Sequence, residues 1–523
     1  MRGSVKIAVA LALLAGTAVG GAALAQKKAP AKVAPLPKGQ ILVGMPDAFT
    51  PSITDFYYPF GATDHTLIPF DLAANGYTET ETILTGKANV YDWGPDGKIV
   101  VKTPDVPYGT RILLRMPKDK SKFSGVVVVE VPNEARGWDW DMMWGYLKEA
   151  IMRRGDAYMD ITLPKSTLGL KKFDSNRYSD LNAKPLTALA CQTKENGDVI
   201  EEGLRFDFIA QAGALLKSND PKSPMAGYNV KRLFMTGQAG GGSDLSTYAI
   251  AMQKTVRMPG DKPIYDGYLF KNLGGLGRIN HCAPTPAADD ARSKMGNWGV
   301  PVVAVVAQAD WASTSRLRRA DSDTKDDPFR DYEIAGSGHL DRYAYGIFPS
   351  LDDQKKGGNQ QGTVQWPFTA RCTPEQQLST NPLYKYSFDA ALENLANWSL
   401  NGVAPPRVAP MPTTADGKDV VVDKYGIAAG GVRSPWSDAP NMVSVLHGKG
   451  PGNCPELSYD VDFSWPYLVS LYGTPEARQA KALASVDAMV ANKTLTAFDA
   501  DLVRADIKAG PKAPALGPLP EKY

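Results

Sequence analysis

Residues 236–244 read TGQAGGGSD and follow the apolar run Arg232-Leu233-Phe234-Met235. The pattern is a strand that breaks into a glycine turn and then enters a helix. Written as Gly237-Gln238-Ala239-Gly240-Gly241, the turn is G-x-S-x-G with alanine at the centre. In that motif the central side chain stands out at a strained strand-to-helix corner, and glycines two positions to each side keep other side chains clear. The backbone N–H of the next residue, here Gly240, points at the oxygen on which negative charge develops during attack on a carbonyl. Ala239 has no hydroxyl, so the chain has a nucleophile's place without a nucleophile.

Chemistry at such a corner needs an acid and a histidine further on, in the order nucleophile, acid, histidine. The run 300–308, VPVVAVVAQ, leads to Asp310, and the strand 331–336 leads to His339 in GSGHLD. Asp310 is the candidate acid, with Asp321 and Asp323 as rivals in the next stretch; His339 is the candidate base. The other three histidines, His65, His281 and His447, lie in less suitable places: an N-terminal β region, a loop beside Cys282, and late in the chain. A second oxyanion donor is expected from the loop 132–140, PNEARGWDW, with Asn133 near its start. Gln238, Trp138 and Trp140 are candidate substrate contacts. For the tryptophans, together with Trp144, packing of the next helix is an equal alternative to an aromatic wall. Ser243, four residues on, is another candidate nucleophile, but one turn into the helix it points away from the corner.

A competing reading of TGQAGGGSD is a dinucleotide loop of the TGxxxGxG type. Its final glycine would fall at Ser243, the turn lies mid-chain, and no acidic residue closes a following strand to hold a ribose.

These residues need a scaffold. Val126–Val131 is a β-branched run of the kind that forms a strand buried on both faces, and a helical stretch over 141–155 ends at a glycine. Strands are expected at 157–163, 232–235, 265–270, 300–308 and 331–336. Helices are expected at 201–218, after the turn from 243, and in the C-terminal part at 388–400 and 477–494. Such alternation predicts an α/β fold with a mostly parallel sheet and helices on both faces. Residues 40–117 alternate polar and apolar side chains and predict a β-rich N-terminal extension. The long polar stretches 164–200 and 346–383 are expected to form lids.

The 523 residues carry 58 basic and 56 acidic side chains, a net charge of +2 that gives no support to nucleic-acid binding. Arg2 and Lys6 precede the apolar run Ile7–Leu14, and Ala23-Leu24-Ala25 before Gln26 has the form of a cleavage site. Residues 1–25 are therefore expected to be a signal peptide and 26–39 a disordered spacer, with a periplasmic or secreted destination. The rest of the chain, 40–523, is expected to be one domain with no stable membrane insertion. In an exported protein the four cysteines, Cys191, Cys282, Cys372 and Cys454, predict at least one disulfide of open connectivity. The oligomeric state is not legible.

The chain resembles the large, mostly bacterial α/β-hydrolase-domain family. The likeness rests on NGYTETETILTGKANVY (75–91), PYGTRILLRMP (107–117), VVVVEVPN (126–133), RRGDAYMDIT (153–162), FDFIAQAGALLK (206–217), the turn, RDYEIAGSGHLD (330–341), AALENLANWSLNGVAPPRVAP (390–410) and GIAAGGVRSP (426–435). The resemblance implies an α/β-hydrolase fold and an esterase-like acyl hydrolase acting on a small-molecule or polymeric ester, without metal or organic cofactor. It places Ala239 at the nucleophile site, where the family carries serine, Gly240 as oxyanion donor and His339 as base. Where the family often has Glu near the acid strand's end, this chain has Gln308. The chain is then either an inactive Ser-to-Ala form of an enzyme or a natural ligand-binding protein on the same scaffold.

Overall fold

In the computed structural model the described residues are 48–51, 58–189, 191, 199–218, 220–287, 289–358, 381–450 and 454–510. The expected signal peptide and spacer lie outside them, as do Cys372 and parts of both expected lids. By its contacts the chain divides into Met1–Val33 and Ala34–Tyr523, and every described residue belongs to the second unit.

Two long strands, β2 (Tyr77–Trp93) and β3 (Ile99–Pro117), pair antiparallel, and β1 (Ala48–Pro51) adds to the outer edge of β2. This is the β-rich extension expected from 40–117. Strand β3 joins it antiparallel to β5 (Ala157–Ile161). From there the sheet is parallel: β5, β4 (Val126–Val131), β6 (Arg232–Gly237), β7 (Gly267–Lys271), β8 (Val302–Ala307) and β10 (Asp327–Ile334). A short β9 (Ser322–Thr324) closes the far edge antiparallel. Strands β4, β5, β7 and β8 are buried along their whole length, as strands of a parallel sheet are when helices cover both faces, and β4 and β8 are the β-branched runs.

Helix Met142–Arg154 ends in a left-handed Gly155, the expected stop. Helices Arg205–Lys217 and Leu383–Asn401 are buried around most of their circumference, so they belong to the core rather than to its surface. Apolar clusters pack the two sheet faces, one around Leu114, Val129, Phe208 and Met235, the other around Val128, Trp144, Phe234 and Leu395. Two helices missed in the sequence, Trp465–Tyr472 and Ala497–Ala509, flank Pro475–Ala491, and a two-stranded sheet pairs Met442–Val445 with Tyr459–Asp462. This is the α/β-hydrolase fold with an N-terminal β extension and C-terminal helices.

The expected lids fare differently. Segment 164–189 carries the helix Ser166–Phe173 and buries Leu170, Tyr178 and Leu181, so it belongs to the packed body. Helix Leu351–Lys356 opens the second segment. Residues 192–198 and 359–380 lie outside the described residues. No described helix is long and apolar enough to cross a membrane. Cys191 is bonded to Cys282, and Cys454 is also in a disulfide.

Candidate active site

Strand β6 ends at Gly237 and the helix Gly240–Thr247 begins three residues later. Between them Ala239 has φ 51° and ψ −116°, a conformation that L-residues rarely adopt. Glycine at 241 is forced by close packing: a Cβ there would lie 2.1 Å from the carbonyl oxygen of Val131, at the end of β4. The corner is therefore pressed against its neighbouring strand, and Ala239 projects at its exposed tip. At a helix start the first N–H groups have no intrahelical acceptor, which leaves that of Gly240 available to a ligand.

Two neighbouring loops bring the other groups. Asp310 follows β8 in a short helical turn, and His339 follows β10 after the turn 335–338. The Ala309 N–H donates to the Ser337 carbonyl at 3.1 Å, tying the loops together. His339 Nδ1 lies 2.7 Å from Asp310 Oδ1. Burial works against the Asp310 carboxylate, but the hydrogen bond and charge of His339, Lys271 and the Asn272 amide outweigh it and hold its pKa below the ordinary value. An ionised carboxylate only accepts, so Nδ1 carries a proton, and in the neutral imidazole Nε2 is left with a lone pair. Gln238 Nε2 approaches that lone pair at 3.4 Å. The arrangement can take a proton at Nε2 from a group in front of it while Asp310 steadies the resulting cation.

The structure thus brings Ala239, Gly240, Gln238, Asp310 and His339 to one corner. Gln308, where the resemblance implies an acid, holds backbone: its Oε1 accepts from the Gly336 and Ala428 N–H groups and its Nε2 donates to the Gly426 carbonyl. Asp321 and Asp323 sit with Arg330. Ser243 lies one turn into the helix, its N–H on the Ala239 carbonyl. His65 stacks on Tyr58, His281 faces Glu202, and His447 Nδ1 donates to the Pro455 carbonyl.

Two expected contacts need correction, and a third is confined to a side chain. The Asn133 backbone N–H donates to the Trp140 carbonyl at 3.1 Å and cannot also serve an oxyanion. Its side chain does lie beside the elbow, with Oδ1 3.4 Å from where a Cβ on Gly240 would be. Trp138 and Trp140 form no open wall: they are 0% and 3% exposed and pack on Phe60, Tyr345 and Phe348. Burying a large apolar surface there outweighs presenting it to a ligand.

The loop after β4 is anchored by charge. Arg205 Nη1 reaches Asp244 on the elbow helix at 2.5 Å and Glu134 at 3.4 Å. Burial pushes the Glu134 carboxyl up to about 7, with Arg205 opposing it.

Sequence reasoning missed Asn272 and Tyr384. The Asn272 amide donates to Asp310 Oδ2 at 2.8 Å, and its Oδ1 accepts from the Tyr384 hydroxyl at 3.2 Å. The signal was present in a Lys-Asn pair that ends the apolar run 265–270, at the carboxyl edge where sites of parallel sheets lie.

The sequence profile of the alpha/beta hydrolase domain family matches residues 34–505. The chain belongs to that family. Among solved structures, this hydrolase-family chain is similar to esterase Est22, at 11% identity over 57% of this chain and 81% of that one, with a TM-score of 0.29. It is also similar to a putative dienelactone hydrolase from Klebsiella pneumoniae subsp. pneumoniae MGH 78578, at 12% identity over 53% and 96% of the two chains, TM-score 0.27. A third is XC6422 from Xanthomonas campestris, described as an a/b serine hydrolase without lid, at 11% identity over 54% and 94%, TM-score 0.23. Among curated proteins, none matches the chain.

Proposed function

We propose that the chain has the site of a carboxylic ester hydrolase working outside the cytoplasm, with alanine standing where the nucleophilic serine belongs. The observation that carries this reading is the conjunction at one corner. Ala239 is held at φ 51°, and an Asp310–His339 pair at 2.7 Å leaves Nε2 facing the turn. Holding a non-glycine residue in such a conformation costs about 1–3 kcal/mol, and such strain gathers at functional sites.

With serine at 239, the hydroxyl oxygen attacks the ester carbonyl and its proton passes to His339 Nε2. The Gly240 N–H stabilises the tetrahedral oxyanion, with the loop after β4 as the source of a second donor. His339 then returns the proton to the leaving alcohol. Water, deprotonated by the same nitrogen, releases the acid and regenerates the hydroxyl.

The second reading, a ligand-binding protein, is favoured by Ala239 itself and by Gln238 Nε2 near the histidine nitrogen that a serine would use. The test is a panel of p-nitrophenyl esters, aryl esters and lactones offered to the chain and to its Ala239→Ser variant. Near-inertness of the chain and a gain of several orders of magnitude in the variant are expected. A folded variant that stays inert across the panel hands the site to the binding reading.

A further inference from the structure

Strand β7 runs between β6, which ends in the elbow, and β8, which leads to Asp310. Its last residue, Lys271, and the next, Asn272, therefore emerge directly behind the candidate pair. Asn272 holds the acid by its side chain. Lys271 holds the base by its main chain: Nζ donates to the His339 carbonyl oxygen at 2.9 Å. One dipeptide grips both partners from the buried side.

Lysine is an expensive way to fill that space. The residue is 1% exposed, between the rings of Tyr384 and Tyr146, whose centroids lie 5.1 and 5.7 Å from Nζ. Burial lowers its pKa to about 8, although Asp310 and Asp341 pull the other way. An unbranched apolar side chain would occupy the same slot without that penalty. What only the ammonium supplies is a donor fixed on the histidine's carbonyl and a positive charge behind Asp310.

We propose that Lys271 is a positioning residue for His339: by holding its carbonyl, the ammonium fixes the loop so that Nδ1 stays on Asp310 and Nε2 stays turned to the elbow. The inference rests on reading Asp310 and His339 as a working pair, not on the substrate or on the residue at 239. The charged and titratable groups facing the ammonium are Asp310 after β8, Asp341 at the start of helix Arg342–Gly346, Tyr146, Tyr384 and His339. Burial holds both tyrosines well above 10 and raises Asp341 only to about 6. A change in the hold as pH rises through about 8 therefore belongs to neither tyrosine nor Asp341, and a variant at 271 that cannot titrate separates Lys271 from His339 itself.

The test uses the chain as it stands, labelled with ¹⁵N-histidine, and follows the far-downfield Nδ1 proton of the His339–Asp310 hydrogen bond by NMR. The signal is assigned by its loss in His339→Ala. It is expected to be sharp at about pH 7 and to fade as pH rises through about 8. Lys271→Met, matched in length, should lose it at about pH 7 while keeping the parent's circular dichroism. Lys271→Gln, which can still donate to the carbonyl but cannot titrate, should show a signal that no longer fades. A folded Lys271→Met protein with the parent's signal overturns the proposal. If that variant does not fold, Lys271→Gln decides, and a signal still fading through about pH 8 overturns it. An inert Ala239→Ser variant would remove the ester-hydrolase reading and leave this result standing.

Discussion

Around Arg111 and Arg115, on β3, charge is packed inside the protein; around Asp310 and His339 it is left partly exposed. Arg111 meets Asp139 at 2.9 Å, Asp160 at 3.3 Å and Glu81 at 3.4 Å, and Arg115 meets Asp141 at 2.5 Å and Glu79 at 2.8 Å. Both guanidinium side chains are 1% exposed. Asp310 and His339 are 14% and 20% exposed, and Ala239, next in the chain to the Gln238 that meets His339, is exposed. The network joins β2, β3, β5 and the loop after β4, and every charge in it faces a partner within the protein. The pair at the elbow keeps one nitrogen for something else. Burial raises Asp160 well above its ordinary carboxyl range, and Glu130, beside the Tyr158 hydroxyl, likewise. Yet these groups are the less accessible ones. A perturbed pKa is therefore a poor guide to a site here, and a weakly held hydrogen-bonding position at an exposed corner is a better one.

The largest effect should come from splitting the two regions by readout. In the Ala239→Ser background, His339→Ala and Asp310→Asn should each lower kcat by roughly 10⁴-fold with the melting temperature little changed. Ester kinetics beside calorimetry check this. If His339→Ala leaves the restored activity intact, the pair is not the catalytic one.

The reverse pattern should follow from Arg111→Ala. Removing one partner from a buried ion cluster leaves uncompensated carboxylates and destabilises by about 3–5 kcal/mol. Denaturant unfolding should show this loss, and any folded fraction should keep its activity per molecule once serine is restored at 239.

A smaller loss is expected from cutting the covalent tie between the two loops that carry Cys191 and Cys282. Cys282→Ser should cost about 2–4 kcal/mol in the same unfolding experiment. Full alkylation of all four cysteines without reductant, in protein made under oxidising conditions, would speak against the bond.

The smallest effect concerns Glu134, which borders both regions. Its carboxyl is raised to about 7 by burial when folded, from an ordinary 4.5. The folded state thus binds the extra proton, and the associated stability is present below about pH 4.5 and lost as pH rises through about 7. Between about pH 5 and pH 8 the melting temperature of Glu134→Gln should fall less than the parent's, by a few degrees. Parallel slopes would show that Arg205 keeps Glu134 ionised throughout.

Much of this arrangement is legible in the sequence alone. The β-branched runs of β4 and β8 announce strands buried on both faces, because only a sheet covered by helices accommodates them. The glycine spacing around Ala239 announces a tight corner, since backbone that crowded admits no Cβ. The order of Ala239, Asp310 and His339 along the chain then determines which strand ends must meet. What the sequence could not decide was where individual polar atoms go. Asn133 is near the elbow, but its N–H is taken by the Trp140 carbonyl, and only the folded loop shows that. Trp138 and Trp140 look the same in sequence whether they line a cleft or a core. Their burial depends on Phe60 and Phe348, which are far away in the chain. Lys271 reads as a charge closing a strand until β7 is seen lying behind the loop of a histidine 68 residues later. Local pattern specifies the backbone's periodicity and its corners; the partner of a hydrogen bond is set by long-range packing, which brings together atoms that no local pattern relates.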